Sequence, residues 1–380
     1  MRVDPFEISI PQDQIVALRE RLRLTRLPDQ LDGVGWDWGT DAQYLQDALR
    51  YWARDFDWRA QEARLNAFSQ FIARLDRGDV HFVHVKGEGP RTMPLLLSHG
   101  WPGSFAEMTS IIPLLTSRNE LTDRLGLTFD LVVPSLPGFG FSSIPQQVGT
   151  SPAVVADMFH ELMLGLGYQR FGVQGGDLGA GISMRIALQH PESVIGVHTN
   201  FPSFTYDGTG LAPDGEAGRA FEESITAWMK AEGGYSHQHA TRPQTLGYAL
   251  NDSPAGLAAW ILEKFHAWSD RSGSDAMPFD LDDVLTDVSI YWFTGTITSS
   301  MRIYRESAAD RLVLSASRRI EVPYGVASFP HELPTQPRER VEQVVDLVRW
   351  TDMPSGGHFA ALEEPELLAR EVVEFFADLS

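Results

Sequence analysis

The sequence predicts an α/β protein. A mostly parallel sheet flanked by helices is preceded by an N-terminal leader region and interrupted by an inserted helical lid. Three observations carry that expectation. Short apolar runs, each ending in a glycine- or proline-rich turn, recur between about residues 91 and 200 and again after about 311. Helix-like segments separate them, and strands covered on both faces read as continuous apolar runs rather than alternating ones. Residues 201–310 break the rhythm: they are helical, aromatic and rich in Gly and Asp, with no convincing buried strand. The expected division is 1–90 leader, 91–200 first part of the core, 201–310 lid and 311–380 second part of the core.

In the leader, residues 12–24 put Ile15, Leu18 and Leu22 on one helical face, with Arg19, Arg21 and Arg23 off it. Residues 41–55 repeat the pattern with Tyr44, Leu45, Ala48, Leu49 and Trp52. Gly33-Val34-Gly35-Trp36-Asp37-Trp38-Gly39 between them reads as loop. Residues 68–75 and 80–86 read as a hairpin across Asp76-Arg77-Gly78-Asp79. Leu95-Leu96-Leu97 is then a buried strand feeding His99-Gly100-Trp101-Pro102-Gly103-Ser104. Residues 129–133 form the next strand, ending in Pro134-Ser135-Leu136-Pro137-Gly138-Phe139-Gly140. The end of that run superficially resembles a glycine-rich phosphate loop but lacks the rest of the fingerprint, and reads as a turn. Strands at 171–174 and 194–198 follow. After the lid, 319–324 and 345–350 resume the β pattern, and Pro365–Ala377 closes the chain as an amphipathic helix.

Composition narrows the function classes. The chain has 380 residues, 43% hydrophobic and 22% charged, which suits one large domain with insertions or two closely packed ones. Acidic residues outnumber basic ones 51 to 31, and a net charge of −20 argues against nucleic acid or anionic lipid as a partner. With no cysteine there is neither a disulfide nor a thiolate metal site. The opening residues have no apolar signal-peptide core, and the longest apolar runs are far too short to span a bilayer, so a soluble, cytoplasmic protein is expected. Lysine occurs only at Lys86, Lys230 and Lys264, an arginine bias that hints at a GC-rich bacterial genome.

The chemistry centres on Phe171-Gly172-Val173-Gln174-Gly175-Gly176-Asp177-Leu178-Gly179-Ala180-Gly181. A short apolar run, a Gly-x-Asp-x-Gly turn and a helix-like segment make the nucleophile elbow of the α/β-hydrolase fold, with a carboxylate where a serine usually stands. A serine there makes an acyl-enzyme. A carboxylate attacks a saturated electrophilic carbon and makes an alkyl ester, so epoxides and alkyl halides are the substrates to consider. Hydrolysing that ester needs a base. His358, in Ser355-Gly356-Gly357-His358-Phe359, follows the final strand, in the order nucleophile, acid, base. Its orienting acid is Glu332 or Asp352. Glu332 is favoured, because it follows the strand ending near Tyr324, whereas Asp352 shares the histidine's own loop and reads as a solvated strand end. Oxyanion donors should be the backbone N–H groups of Leu178 and of Trp101. Ring opening also needs a proton donor, and the lid region offers Tyr206, Tyr235, Tyr248, Tyr291 and Tyr304 without a physical reason to choose. His237-Gln238-His239 lacks a third ligand and reads as exposed lid surface, so neither metal nor cofactor is expected.

These residues resemble the microsomal-type epoxide hydrolases, including juvenile hormone epoxide hydrolases and their soluble bacterial and fungal relatives. The resemblance spans nearly the whole chain. It rests on Pro5-Phe6-Glu7-Ile8, Trp58-Arg59, Arg64-Leu65-Asn66-Ala67-Phe68, the His99 to Ser104 turn and the elbow. Further matches are Pro243-Gln244-Thr245, Asn251-Asp252-Ser253-Pro254, Glu263-Lys264-Phe265, Tyr291-Trp292, Thr294-Gly295-Thr296-Ile297 and Gly356-Gly357-His358-Phe359-Ala360. It implies Tyr235 and Tyr304 as the ring-opening tyrosines and Glu332 as the charge-relay acid, where some relatives use aspartate. It implies an epoxide and water as reactants and a vicinal diol as product. Membrane-bound members carry an anchor helix before the leader, and this chain starts at the leader. Haloalkane dehalogenases share the Asp elbow but usually follow it with a halide-holding tryptophan, here Leu178. A non-catalytic binding protein would typically have lost the nucleophile or the histidine. The resemblance leaves open detoxification, aromatic hydrocarbon catabolism or secondary metabolism such as enediyne antibiotic pathways. A homodimer with leader contacts is compatible with the sequence but not required by it.

Overall fold

The computed structural model describes residues 1–274 and 276–379. Eleven strands are present among them: β1 (Arg2–Phe6), β2 (Gln70–Leu75), β3 (Gly78–Val85), β4 (Thr92–Ser98), β5 (Thr128–Pro134), β6 (Phe171–Gly175), β7 (Val194–Thr199), β8 (Thr205–Tyr206), β9 (Val313–Leu314), β10 (Ile320–Ser328) and β11 (Val345–Asp352). Nine form one sheet in the order β1-β2-β3-β5-β4-β6-β7-β10-β11. From β5 to β11 every neighbour is parallel, while β1, β2 and β3 add on antiparallel through β5. The central strands are apolar because helices cover both faces: Leu95, Leu96 and Leu97 of β4 and Phe171 and Val173 of β6 are fully buried. Gly172, Gly196 and Gly325, one on each of β6, β7 and β10, make room for the closing helix Pro365–Ala377. A Cβ there would meet the Phe376 or Phe375 ring at 2.5–3.2 Å.

The leader is part of this sheet rather than an appendage. The expected hairpin is β2–β3, and β1 pairs with β2 at the sheet edge. Strand β1 was not expected. It is half exposed and contains Pro5, a residue that only an edge strand accommodates, so it lacks an alternating signature. Helix Trp58–Asn66 also escaped the periodicity reading; Asp57 caps it by accepting the Arg59 and Ala60 N–H groups. The helices expected near 12–24 and 41–55 are Gln12–Arg23 and Ala42–Arg54.

The insert consists mainly of helices Glu216–Ala231, Gly234–Thr241, Pro243–Asp252, Pro254–Trp268, Leu281–Thr294 and Ile297–Ala309. It also contains the two-residue strand β8, which pairs with β9 just beyond it, too short to leave a sequence signal. The leader grips these helices. Trp52 donates to Ser289 at 2.9 Å, Tyr51 to Asp282 at 2.8 Å, Thr40 to the Ala259 carbonyl at 2.7 Å, and Trp36 stacks on His266. The lid's position over the sheet is thus set from two sides. The 137–140 segment is a turn, with Gly138 and Gly140 at φ 82° and 48°. Among the described residues no helix is long and apolar enough to cross a membrane.

Candidate active site

Asp177 stands at the junction of β6 and helix Asp177–Gln189 with φ 46°, one of two non-glycine residues at positive φ among those described. Such backbone is costly for a side chain with a Cβ, and it holds the carboxylate proud of the turn. The flanking glycines are sterically required. A Cβ on Gly175 would lie 2.4 Å from the Gly179 carbonyl carbon, and one on Gly179 would lie 2.1 Å from the Ser98 carbonyl oxygen. Gly100 presses on the carboxylate itself, where a Cβ would meet Asp177 at 2.4 Å.

The sheet's carboxyl end brings Trp101, Asp177, Glu332 and His358 together. The Trp101 N–H donates to Asp177 Oδ1 at 2.8 Å. The loop that aims it is pinned by His99, whose Nδ1 faces the Gly100 carbonyl at 2.9 Å and whose Nε2 accepts the Leu136 N–H. Leu178 lies in the first helical turn, whose N–H groups have no acceptor within the helix. His358 Nε2 sits 3.5 Å from Asp177 Oδ2, and its Nδ1 sits 2.5 Å from Glu332 Oε1. Glu332 Oε1 also accepts the Leu333 N–H. A bridge between His331 and Gly357 ties the two loops together, and Trp268 receives the His358 N–H. Burial pulls the His358 pKa down, but the Glu332 and Asp177 carboxylates outweigh it and hold it well above the usual histidine range. Asp352 is exposed and takes the Trp350 indole N–H instead.

Tyr235 and Tyr304 come from helices Gly234–Thr241 and Ile297–Ala309, and with Asp177 they line a pocket of about 410 Å³. Its remaining wall is largely apolar, with Leu178, Phe201, Ile225, Trp228, Leu312 and Leu333. The two phenol rings are edge to face at 5.8 Å, and Tyr235 stacks on Trp101 at 5.1 Å. The Tyr304 hydroxyl is buried, with no hydrogen bond of ordinary geometry among the described residues and the Tyr235 phenol beside it. Burial, then Asp177, push the Tyr235 pKa up, and burial, then Tyr235 and Asp177, push the Tyr304 pKa up, so both phenols stay protonated. Of the other tyrosines, Tyr248 is exposed, Tyr206 lies under Arg340, and Tyr291 donates to the Gly103 carbonyl at 2.9 Å.

The structure corrects one expectation. His237 is exposed, but His239 is fully buried, edge-on to Trp101, Tyr235 and Tyr304. The Trp260 indole donates to its Nε2 at 3.1 Å, which assigns the imidazole proton to Nδ1. Burial, then Lys264, push its pKa down to about 3, so it is a neutral packing element of the tyrosine cage. A helical turn read as polar from its composition folds inward because Tyr235, four residues earlier, does so too.

Sequence reasoning missed three further groups. Lys264 is buried, pairs with Glu263 at 2.6 Å and Glu232 at 3.5 Å, and lies 4.9 Å over the Tyr235 ring. Its signal was a lone lysine in an apolar helix of a lysine-poor chain. Asp287 and Glu107 are acids beneath and beside the Trp101 loop. Burial drives the Asp287 pKa up to about 8, partly offset by Ser104. Burial and then Asp287 push the Glu107 pKa well above the carboxylate range. Both look like ordinary solvated acids in sequence.

Comparison with known proteins follows the geometry. Residues 3–108 match the family described as epoxide hydrolase N terminus, and residues 93–223 match the alpha/beta hydrolase fold. Epoxide hydrolase 1 of Oryctolagus cuniculus is 38% identical over 405 residues, covering 98% of this chain and 88% of the rabbit protein. The crystal structure of juvenile hormone epoxide hydrolase from the silkworm Bombyx mori superposes with a TM-score of 0.90 at 32% identity, over 100% of this chain and 95% of that one. Aspergillus niger epoxide hydrolase gives 0.85 at 31% identity, over 100% and 97%. An α/β-hydrolase sheet with a carboxylate at its elbow, and full-length similarity of this kind, make the chain a member of the epoxide hydrolase family.

Proposed function

We propose that this epoxide hydrolase works through a covalent alkyl ester on Asp177. The epoxide occupies the apolar pocket with its oxygen between the Tyr235 and Tyr304 hydroxyls. An Asp177 carboxylate oxygen attacks a ring carbon. The carbon–oxygen bond of the ring breaks, its electron pair stays on the oxygen, and the phenols donate to the forming alkoxide. In the second step His358, oriented by Glu332, takes a proton from water while the water oxygen bonds to the Asp177 carboxyl carbon. The N–H groups of Trp101 and Leu178 receive the oxyanion. Collapse breaks the bond between that carbon and the substrate oxygen, the proton of the newly added hydroxyl passes to the departing diol oxygen, the carboxylate is restored, and His358 keeps the proton it took from water.

The observation that carries this reading is the three-sided setting of one carboxylate: an amide N–H on Oδ1, an imidazole facing Oδ2, and two buried phenols across the same pocket. The largely apolar wall favours lipophilic epoxides, aryl-substituted ones such as styrene oxide included, the class met in aromatic hydrocarbon catabolism and detoxification. We read the enzyme as acting in the cytoplasm on a free small molecule, its net charge of −20 disfavouring nucleic acid and anionic lipid as partners. His358→Gln mixed with styrene oxide should accumulate an adduct one epoxide heavier, located on Asp177 by peptide mass mapping. Asp177→Ala should form none. In a single turnover of the wild type in ¹⁸O-water, label should enter Asp177 before the diol; diol labelled in the first turnover would refute the ester.

A further inference from the structure

We infer that the water consumed in the second step is held behind Asp177 by Glu107, a positioning residue that no part of the two-step scheme yet includes. The inference rests on the covalent reading and deepens it.

A second cavity, of about 30 Å³, lies against the elbow and is lined by Gly100, Glu107, Gln174, Asp177, Asn200 and His358 among others. A water needs roughly 10–15 Å³ of such space and two to four polar partners, so one or two waters fit. This cavity and the substrate pocket share a single lining residue, Asp177. His358 faces the small cavity and is absent from the wall of the large one. That division matters because an apolar epoxide filling the large pocket excludes water from it. Water must then reach the Asp177 carboxyl carbon from the other face, where the imidazole is.

The polar groups around the small cavity suit a water with a defined orientation. Gln174 is 1% exposed, and its Oε1 has no hydrogen-bond partner among the described residues, while its amide nitrogen donates to Asn200 at 3.2 Å. That Oε1 is an acceptor for the water hydrogen that His358 does not take. Glu107 supplies the complementary donor. Its carboxyl is seated against Gly103, where a Cβ would lie 2.3 Å from Oε2, so the glycine makes its place. The Gly100 N–H donates to it, and burial, then Asp287, push its pKa well above the usual carboxylate range, which favours the neutral acid. A neutral acid is the form this position requires. It can donate to the water oxygen, and it adds no negative charge that would keep His358 protonated when it has to act as base.

The test separates the two half-reactions by stopped-flow fluorescence and rapid-quench mass spectrometry with styrene oxide. Glu107→Leu should leave ester formation near the wild-type rate, slow ester hydrolysis by about 10- to 100-fold, as expected when a reactant loses its orientation, and accumulate the Asp177 ester. Glu107→Gln, which keeps shape and both hydrogen-bond roles, should restore most of the hydrolysis rate. Equal slowing of both steps in Glu107→Leu, unchanged hydrolysis, or a Gln variant as slow as the Leu variant would each overturn the assignment. Should Glu107→Leu not fold, Gln174→Met removes the water's acceptor, and it must slow hydrolysis alone for the inference to stand. Absence of ester in the His358→Gln control is a separate result: it sinks the covalent reading, not the water site specifically.

Discussion

Replacing Asp287 by asparagine should stabilise the protein, and by an amount that grows with pH. Asp287 lies on helix Leu281–Thr294, 3% exposed, with neither carboxyl oxygen hydrogen-bonded in ordinary geometry among the described residues. Burial raises its pKa from 3.8 to about 8, against a small opposing pull from Ser104. A raised folded-state pKa favours the protonated native state. Its stabilising contribution is complete below about pH 4, falls as pH climbs from there to about 8, and is fully lost above. Each unit is worth about 1.4 kcal/mol, so the penalty is roughly 4 kcal/mol at pH 7 and approaches 6 above pH 8. Asparagine has the same shape and does not titrate.

For a chain of 380 residues, an unfolding entropy of about 2 cal/mol/K per residue makes 4 kcal/mol worth about 5 °C in Tm. The assay is a pair of thermal melts, wild type and Asp287→Asn, at each pH from 5 to 9, read as the difference in Tm so that titrating groups not coupled to Asp287 cancel. The difference should rise between pH 5 and 8 and then level off. A difference that is flat across that range, or an Asn variant less stable at pH 8, would refute the assignment of a buried, unpartnered carboxyl here. The stake is functional, because this acid lies under the loop that carries Trp101 and beside Glu107.

Other perturbations report on the site itself. Tyr235→Phe and Tyr304→Phe should each slow ester formation moderately and the double variant by about 10²–10⁴-fold, in single-turnover kinetics; a double variant no slower than either single one would remove the phenols from ring opening. Glu332→Gln should reduce turnover sharply while Asp352→Asn should not, measured as kcat, and the reverse order would make Asp352 the orienting acid. Parallel assays on styrene oxide and a haloalkane should give diol and little halide; robust halide release would contradict the role given to Leu178. Finally, Asp177→Asn should lower the pH at which His358 titrates, followed by NMR of labelled histidine.

Legibility of the sequence followed the range of the physics involved. The elbow could be read because its glycines answer local demands: Gly175, Gly179 and Gly100 each sit where any Cβ would strike backbone or the carboxylate. Strands β4, β5 and β6 could be read because they are covered on both faces and so carry runs of apolar residues. Strand β1 could not, being an edge with mixed exposure. Only the resemblance singled out two lid tyrosines; the residues themselves could not, since what distinguishes Tyr235 and Tyr304 from Tyr248 is which way two helices roll against Trp101, a long-range packing outcome. His239, Asp287 and Glu107 were hidden for the converse reason. Polar residues at helical spacing normally face water, and only the meeting of lid and loop turns these inward.

In the proposed two-step scheme, the charges around His358 let one imidazole serve both halves of the reaction. Burial alone would leave it neutral; Glu332 and Asp177 hold it protonated. With Asp177 3.5 Å from Nε2 and Glu332 2.5 Å from Nδ1, the imidazole lies between two carboxyl groups that favour its charged form. Ester formation removes the Asp177 charge. Both of its contributions, the hydrogen bond and the Coulombic attraction, then vanish, leaving burial opposed by Glu332 only. The imidazolium becomes more acidic just when the opened ring oxygen, held by the two phenols, needs a proton, and a proton relayed from it leaves the free base that the water requires. The proton balance closes with the phenols as donors to the ring oxygen: one proton is relayed from His358 as the alkoxide is neutralised, and one returns to it from water in hydrolysis. Asp177→Asn copies the uncharged ester at this position. If His358 in that variant titrates no lower than in the wild type, the Asp177 charge is not what keeps it protonated, and the switch from acid to base must have another cause.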